Sequence, residues 1–111
     1  MEVLTRTDDN VTILEVSGDI DGSSAPVLQE QVLGAIKPGC KLLLDMSKVE
    51  FMSSAGLRVM LVLYRQISGS DGKCLLYGLS QPLQDTMAAT GFLKFFTLSD
   101  DLNAGLETLR Q

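Results

Sequence analysis

Residues 42–61 run from an apolar block through a polar bend straight into a second, longer apolar block, and that succession constrains the fold more than any other part of the chain. Leu42-Leu43-Leu44 is apolar at successive positions, so the strand predicted over Lys41 to Met46 needs cover on both of its faces. The helix predicted over Ala55 to about Ser68 carries Leu57, Met60, Leu61, Tyr64 and Ile67 at i, i+3, i+4 and i+7 spacing, a stripe aimed at a core. Val59, Val62 and Leu63 make the rest of its surface apolar too, with Arg58 and Arg65 as the main polar relief. Either this helix is buried nearly all round, or part of it is an exposed patch for a partner. A chain of 111 residues has trouble burying a helix completely, which favours the partner. Between the two blocks sit Ser53-Ser54-Ala55-Gly56, small residues at the point where the helix must begin.

The other elements alternate around this pair. Met1 to Thr7 and Val11 to Ser17 read as strands joined through Asp8-Asp9-Asn10, whose side chains favour a tight turn, so an antiparallel hairpin is expected. Gly18 to Ser24 is a loop ending in two good N-cap residues, and Pro26 belongs in the first turn of the next helix. Leu28, Val32, Ala35 and Ile36 give that helix its apolar face, and Lys37-Pro38-Gly39 stops it. Lys73 to Tyr77 reads as a fourth strand. Ser80 caps a helix with Pro82 in its first turn, Leu83 and Met87 inward and Gly91 at its C′ position, from which Phe92 packs back on Met87. Lys94 to Leu98 reads as a short edge strand. Ser99-Asp100-Asp101 opens a last helix with Leu102, Leu106 and Leu109 on one face. Residues 1–111 thus form one α/β domain: a mixed open sheet, antiparallel hairpin first and mostly parallel strands after it, packed with about four helices.

Composition removes whole classes of function. The formal charge of −5 is wrong for a nucleic-acid phosphate backbone. No run approaches the apolar length of a membrane span and no signal peptide opens the chain, so cytoplasmic location and no direct membrane insertion are expected. The chain has no His, the commonest general base and metal ligand. Cys40 and Cys74 read as reduced, buried thiols. The acids of the Asp19–Asp21 loop are too few for a cation site and read as a solvated turn. An enzyme, a resident cofactor and a bound metal are all unexpected.

Ser54 is the residue with the most interesting position. As an N-cap its hydroxyl would accept from the N–H of Gly56 or Leu57, and many serines at helix starts do nothing else. Its small neighbours, however, leave room for a second protein's active site. A phosphate there would sit at the positive end of a helix, where the fold tolerates it while the surface potential changes. Arg58, one turn along, is placed to contact such a phosphate.

The residues Asp45-Met46-Ser47-Lys48-Val49-Glu50-Phe51-Met52-Ser53-Ser54-Ala55-Gly56-Leu57 resemble the signature of the STAS domain in bacterial anti-sigma factor antagonists. Gly18-Asp19-Ile20-Asp21 resembles the family's Gly-x-[Leu/Ile]-Asp loop, Leu75 to Pro82 its strand and following helix start, and Thr90 to Phe96 its closing segment. The resemblance implies partner switching. The unmodified protein would bind an anti-sigma factor that is also a Ser/Thr kinase, freeing a sigma factor. Phosphorylation by that kinase, with ATP, of a Ser in Asp-Ser-[Ser/Thr]-Gly would break the complex, and a PP2C-type phosphatase would restore it. Matched without gaps, the phosphoacceptor falls on Ser54 and the loop acid implicated in partner contact on Asp21. This chain departs from the motif at Ser53, where the family has Asp, and at Ala55. Ser53 thereby becomes a competing acceptor. The implied partner surface is Asp21, Ser53, Ser54, Arg58 and Val62. The alternative is a constitutive STAS interaction subunit of a larger signalling or membrane transport complex, with no phospho-switch. A homodimer through the exposed part of the helix is a further expectation.

Overall fold

The computed structural model describes residues 1–111. Five strands, β1 (Glu2–Asp8), β2 (Val11–Ser17), β3 (Lys41–Lys48), β4 (Lys73–Tyr77) and β5 (Thr97–Ser99), form one sheet in the order β1-β2-β3-β4-β5. The β1–β2 pair is antiparallel and every later pair is parallel. The parallel strands are joined through α1 (Ala25–Leu33), α2 (Ser54–Gly69) and α3 (Gln81–Ala89), and α4 (Leu102–Arg110) closes the chain.

Strand alternation builds two cores. Leu14, Val16, Leu42, Leu44, Met46 and Leu76 face one side, where α1, α2 and α3 cover them. Val11, Ile13, Leu43 and Leu75 face the other and meet Leu106 and Leu109 of α4. The apolar run of β3 is therefore explained by cover on both faces, as its composition requires. The hairpin turns at Asp9, whose φ of 57° is one that Asp tolerates. Arg110 of α4 reaches back to Asp8 at 2.7 Å. Both groups are partly exposed, so the pair contributes about 0–1 kcal/mol.

Four sequence expectations need correction. The α1 helix ends at Leu33 rather than Ile36: Gly34 takes the C-cap position, and Ala35 and Ile36 still pack on the core from a turn. The buried stripe of α2 is Gly56, Leu57, Met60, Leu63 and Ile67. Leu61 and Tyr64, expected inside, are half-buried; on a helix apolar nearly all round, packing against α1 and the sheet selects the inner face. Residues Lys94–Leu98 are not one strand, because Leu93–Phe95 make a 3-10 turn before the three-residue β5. There Phe95 and Phe96 stack on Tyr64, with ring centroids 5.5 and 5.6 Å away, and that packing overrides their strand propensity. Ser24 holds the α1 N-cap position but makes no side-chain cap bond; Asp21 takes over that work, as described below.

The caps of α3 and α4 are as expected. Ser80 Oγ accepts from Leu83 N–H, Asp101 Oδ1 from Ala104 N–H at 3.0 Å, and Gly91 sits at φ 79° just past α3. Cys40 and Cys74 are free thiols. Burial, and secondarily the neighbouring Cys40, pushes the Cys74 thiol up to about 12, so it stays protonated and unreactive at neutral pH. No helix is long and apolar enough to cross a membrane.

Leu43 is fully buried under α4, so Leu43→Ala is expected to lower stability by about 2–5 kcal/mol. Urea unfolding checks this, with the midpoint shifting and the slope unchanged.

Candidate functional site

The chain leaves β3 through a turn in which Val49 N–H bonds Met46 O at 3.1 Å and reaches Met52, which forms a parallel bridge with Ile20. Ile20 N–H donates to Phe51 O at 2.9 Å, and Ser53 N–H donates to Ile20 O at 2.8 Å. This two-bond clamp brings the 18–24 loop against the bend that precedes α2, so Asp21 and the Ser53–Ser54 pair flank the two strands of one clamp.

The clamp also decides which serine caps the helix. Ser53 is held extended, at φ −79° and ψ 174°, and its Oγ accepts from Gly56 N–H at 3.3 Å. Leu57 N–H bonds the Ser53 carbonyl at 2.9 Å. The N-cap is therefore Ser53, not Ser54 as the sequence suggested, because an extended residue before the first helical turn aims its side chain at the N–H three positions on. Ser54 is the first residue of α2 and is exposed, and no other group bonds its hydroxyl. The two candidate acceptors thus differ physically: one hydroxyl is half-buried and engaged, the other is exposed and unengaged.

Gly56 explains why the bend is built from small residues. A Cβ placed there would lie 2.7 Å from Ile20 O and 2.8 Å from both Ile20 Cγ2 and Met52 Cγ. Only a residue without a side chain lets α2 start this close to the clamp. The smallness of Gly56 is visible in the sequence, but its cause is a contact with a residue 36 positions earlier.

Asp21 is a structural group as well as a surface acid. Its Oδ1 accepts from Ser23 Oγ–H at 2.8 Å and from the N–H groups of Ser23 and Ser24, both at 3.0 Å, and its carbonyl accepts from Ala25 N–H at 2.8 Å. The Ser23 hydroxyl, followed by the two backbone donors, holds the Asp21 carboxyl below the usual carboxylate range. A depressed carboxyl stabilises the folded loop above its ordinary titration range, and that contribution is lost as pH falls through the folded value. The loop is therefore fully braced at neutral pH. Asp19 and Asp21 have no third metal-ligating neighbour.

On the face of α2 leading away from the clamp, Ser54, Arg58 and Val62 recur at i, i+4 and i+8 and so share one side of the helix. Ser54 and Arg58 are exposed and Val62 half-buried. Phe51, three residues before Ser54, is 52% exposed. An aromatic held outward next to a helix start is the signal that could have marked it. The arrangement offers one free hydroxyl, one free guanidinium and an apolar rim, and holds no group of three metal-ligating side chains.

Comparison with known proteins agrees with this architecture. Residues 2–105 match the STAS domain, and the chain belongs to that family. It is 30% identical over 92 residues to the anti-sigma-B factor antagonist of Listeria monocytogenes, covering 82% of this chain and 80% of that protein. The crystal structure of an anti-sigma factor antagonist from Mycobacterium paratuberculosis superposes with a TM-score of 0.86 at 28% identity, over 99% of this chain and 94% of the other. A sulfate transporter family protein from Wolinella succinogenes has the same fold, with a TM-score of 0.81 at 19% identity over 95% and 88% of the two chains.

Two paired substitutions test the geometry. Gly56→Ala is expected to destabilise by about 1–3 kcal/mol through overpacking, whereas Gly69→Ala, with open space around its Cβ position, is neutral or stabilising. Ser53→Ala is expected to cost about 1 kcal/mol as a lost cap, and Ser54→Ala to fall within about 0.5 kcal/mol of the parent. Thermal and urea unfolding check both pairs.

Proposed function

We propose that this protein is an anti-sigma factor antagonist that works by partner switching, with Ser54 as the phosphoacceptor. The observation that carries the reading is the division of labour at the helix start: Ser53 caps α2, and Ser54 presents an exposed, unengaged hydroxyl. The family's antagonist relatives support it. In its unmodified form the chain binds an anti-sigma factor that is also a Ser/Thr kinase, and so frees a sigma factor. The docking surface is the side of α2 bearing Ser54, Arg58 and Val62, together with Ser53 and the braced Asp21 loop.

The kinase partner transfers the γ-phosphoryl group of ATP to Ser54 Oγ, with the hydroxyl proton leaving to the kinase's own base and ADP departing. This chain supplies the acceptor and its presentation, not the catalysis. The phosphoserine brings a charge of about −1.5 to −2. At the first turn of α2 the aligned N–H groups stabilise that charge, so the fold persists. The partner meets a dianion beside Asp21, on a chain whose formal charge is already −5, where it had met a small neutral side chain. Repulsion and the cost of desolvating the phosphate then dissociate the complex. A PP2C-type phosphatase hydrolyses the ester and returns the binding form.

One observation favours a second reading. Leu61 and Val62 remain half-exposed and Phe51 exposed, which would also suit a constitutive interaction subunit of a larger signalling or transport assembly, with Ser54 as ordinary surface. Co-purification from native cells separates the two, since an ATP-binding kinase belongs to the first and a transporter or scaffold to the second. With the recovered kinase in hand, calorimetric titration of the parent, Ser54→Ala and Ser54→Asp chains tests the switch. Ser54→Asp is expected to bind at least about tenfold more weakly while Ser54→Ala binds as the parent does. Equal affinity for all three overturns the switch.

A further inference from the structure

The two edges of the sheet are unequal. β5 has three residues, whereas β1 has seven and is open along its whole outer side. Long open edges invite strand addition, and proteins that avoid it blunt the edge with charges of one sign, bulges or prolines; the charges of β1, Glu2, Arg6 and Asp8, are of both signs. β1 has no proline, and its register with β2 is unbroken from Glu2↔Ser17 to Asp8↔Val11. It also carries Leu4, which at 54% is the most exposed of the large apolar side chains in the molecule.

The hairpin fixes which backbone groups are free. A two-residue connection closes on a hydrogen-bonded pair, here Asp8↔Val11. Because bonding alternates along an antiparallel pair, Asp8, Arg6, Leu4 and Glu2 turn their N–H and C=O groups toward β2. Thr7, Thr5 and Val3 turn theirs outward. The side chains of Glu2, Leu4 and Arg6 share the sheet face that carries α4, since they lie opposite Ser17, Glu15 and Ile13, and Ile13 packs in the α4 core.

We propose that β1 pairs antiparallel with β1 of a second copy, about a two-fold axis through Leu4. In that register Val3 of each copy lies opposite Thr5 of the other, and the outward N–H and C=O groups of both are satisfied. Leu4 lies opposite Leu4, and Glu2 opposite Arg6 twice over. These are the non-hydrogen-bonded pairs, in which opposing side chains approach most closely. Neither Glu2 nor Arg6 makes a direct ion pair within the chain, those being Lys48–Glu15 and Arg110 with Asp8 and Asp9, though Arg6 acts at longer range on Glu15 and Glu2 on Lys48. Four positions apart on a strand, Glu2 and Arg6 of one chain are separated by about 13 Å and cannot pair with each other. Shifting the axis to Thr5 puts Glu2 opposite Asp8, like against like, and Leu4 opposite Arg6. The strand is self-complementary in one register only, and that is what commits the surface to a copy of itself rather than to a foreign strand. The product is a continuous ten-stranded sheet.

Sedimentation equilibrium over a concentration series tests this. The parent is expected to rise from the 12.0 kDa chain mass toward twice that value. Glu2→Arg and Arg6→Glu each replace two attractive pairs with two repulsive ones and are expected to weaken association about tenfold. The Glu2→Arg/Arg6→Glu double variant restores the pairs with inverted polarity and is expected to associate as the parent does. Circular dichroism confirms that the variants fold, all substitutions being at exposed positions. A parent that stays at the chain mass overturns the proposal, and so does a dimer indifferent to the single reversals or a double variant no better than the singles.

Discussion

The parallel bridge between Ile20 and Met52 is the contact on which the site depends. Its two hydrogen bonds are set by residues more than thirty positions apart, and they fix three things together. They hold the 18–24 loop against the start of α2, they hold Ser53 in an extended conformation, and they leave no room for a side chain at Gly56. An extended Ser53 becomes the cap. Once Ser53 is the cap, Ser54 is the first helical residue, and its hydroxyl has nothing to do inside the molecule. The free hydroxyl is a consequence of the clamp rather than of any property of Ser54 itself.

That origin suits a switch. A phosphate added to a group that supports nothing leaves the scaffold intact, and a helix N-terminus is one of the few surface positions that stabilises added negative charge. The response is then confined to what a partner meets. Two side chains near the acceptor keep separate duties: Asp21 braces its own loop through Ser23 and Ser24, and Arg58 projects unpaired one turn along α2. Ser53 also has a local sense here, because it supplies the cap that an Asp, the residue of the motif it resembles, would supply.

Much of this was legible in the residues alone. The double-sided apolar run at Leu42–Leu44, the turn at Asp9-Asn10, the capping serine at Ser80 and the Gly91 stop are local chemistry, and the corresponding elements stand where that chemistry puts them. The order of strands and helices was enough for a mixed sheet with helical cover. What was not legible depended on distant contacts. Phe95 and Phe96 left the strand pattern to stack on Tyr64. The inner face of α2 was chosen by α1 and the sheet, since a helix apolar nearly all round does not declare its own inside. The cap moved one residue, from Ser54 to Ser53, because the bridge to Ile20 governs the backbone there. The bracing of Asp21 is the exception, being local: its carboxylate bonds Ser23 and Ser24, two and three residues on, the habit of Asp in a loop.

Phosphosite mapping of the protein taken from its native cells tests the Ser54 switch most directly. A single phosphate on Ser54 with Ser53 unmodified is the predicted result, since of these two hydroxyls only that of Ser54 is exposed and unengaged. Phosphate on Ser53 alone, or an unmodified Ser54 in cells where the kinase partner is active, would contradict it.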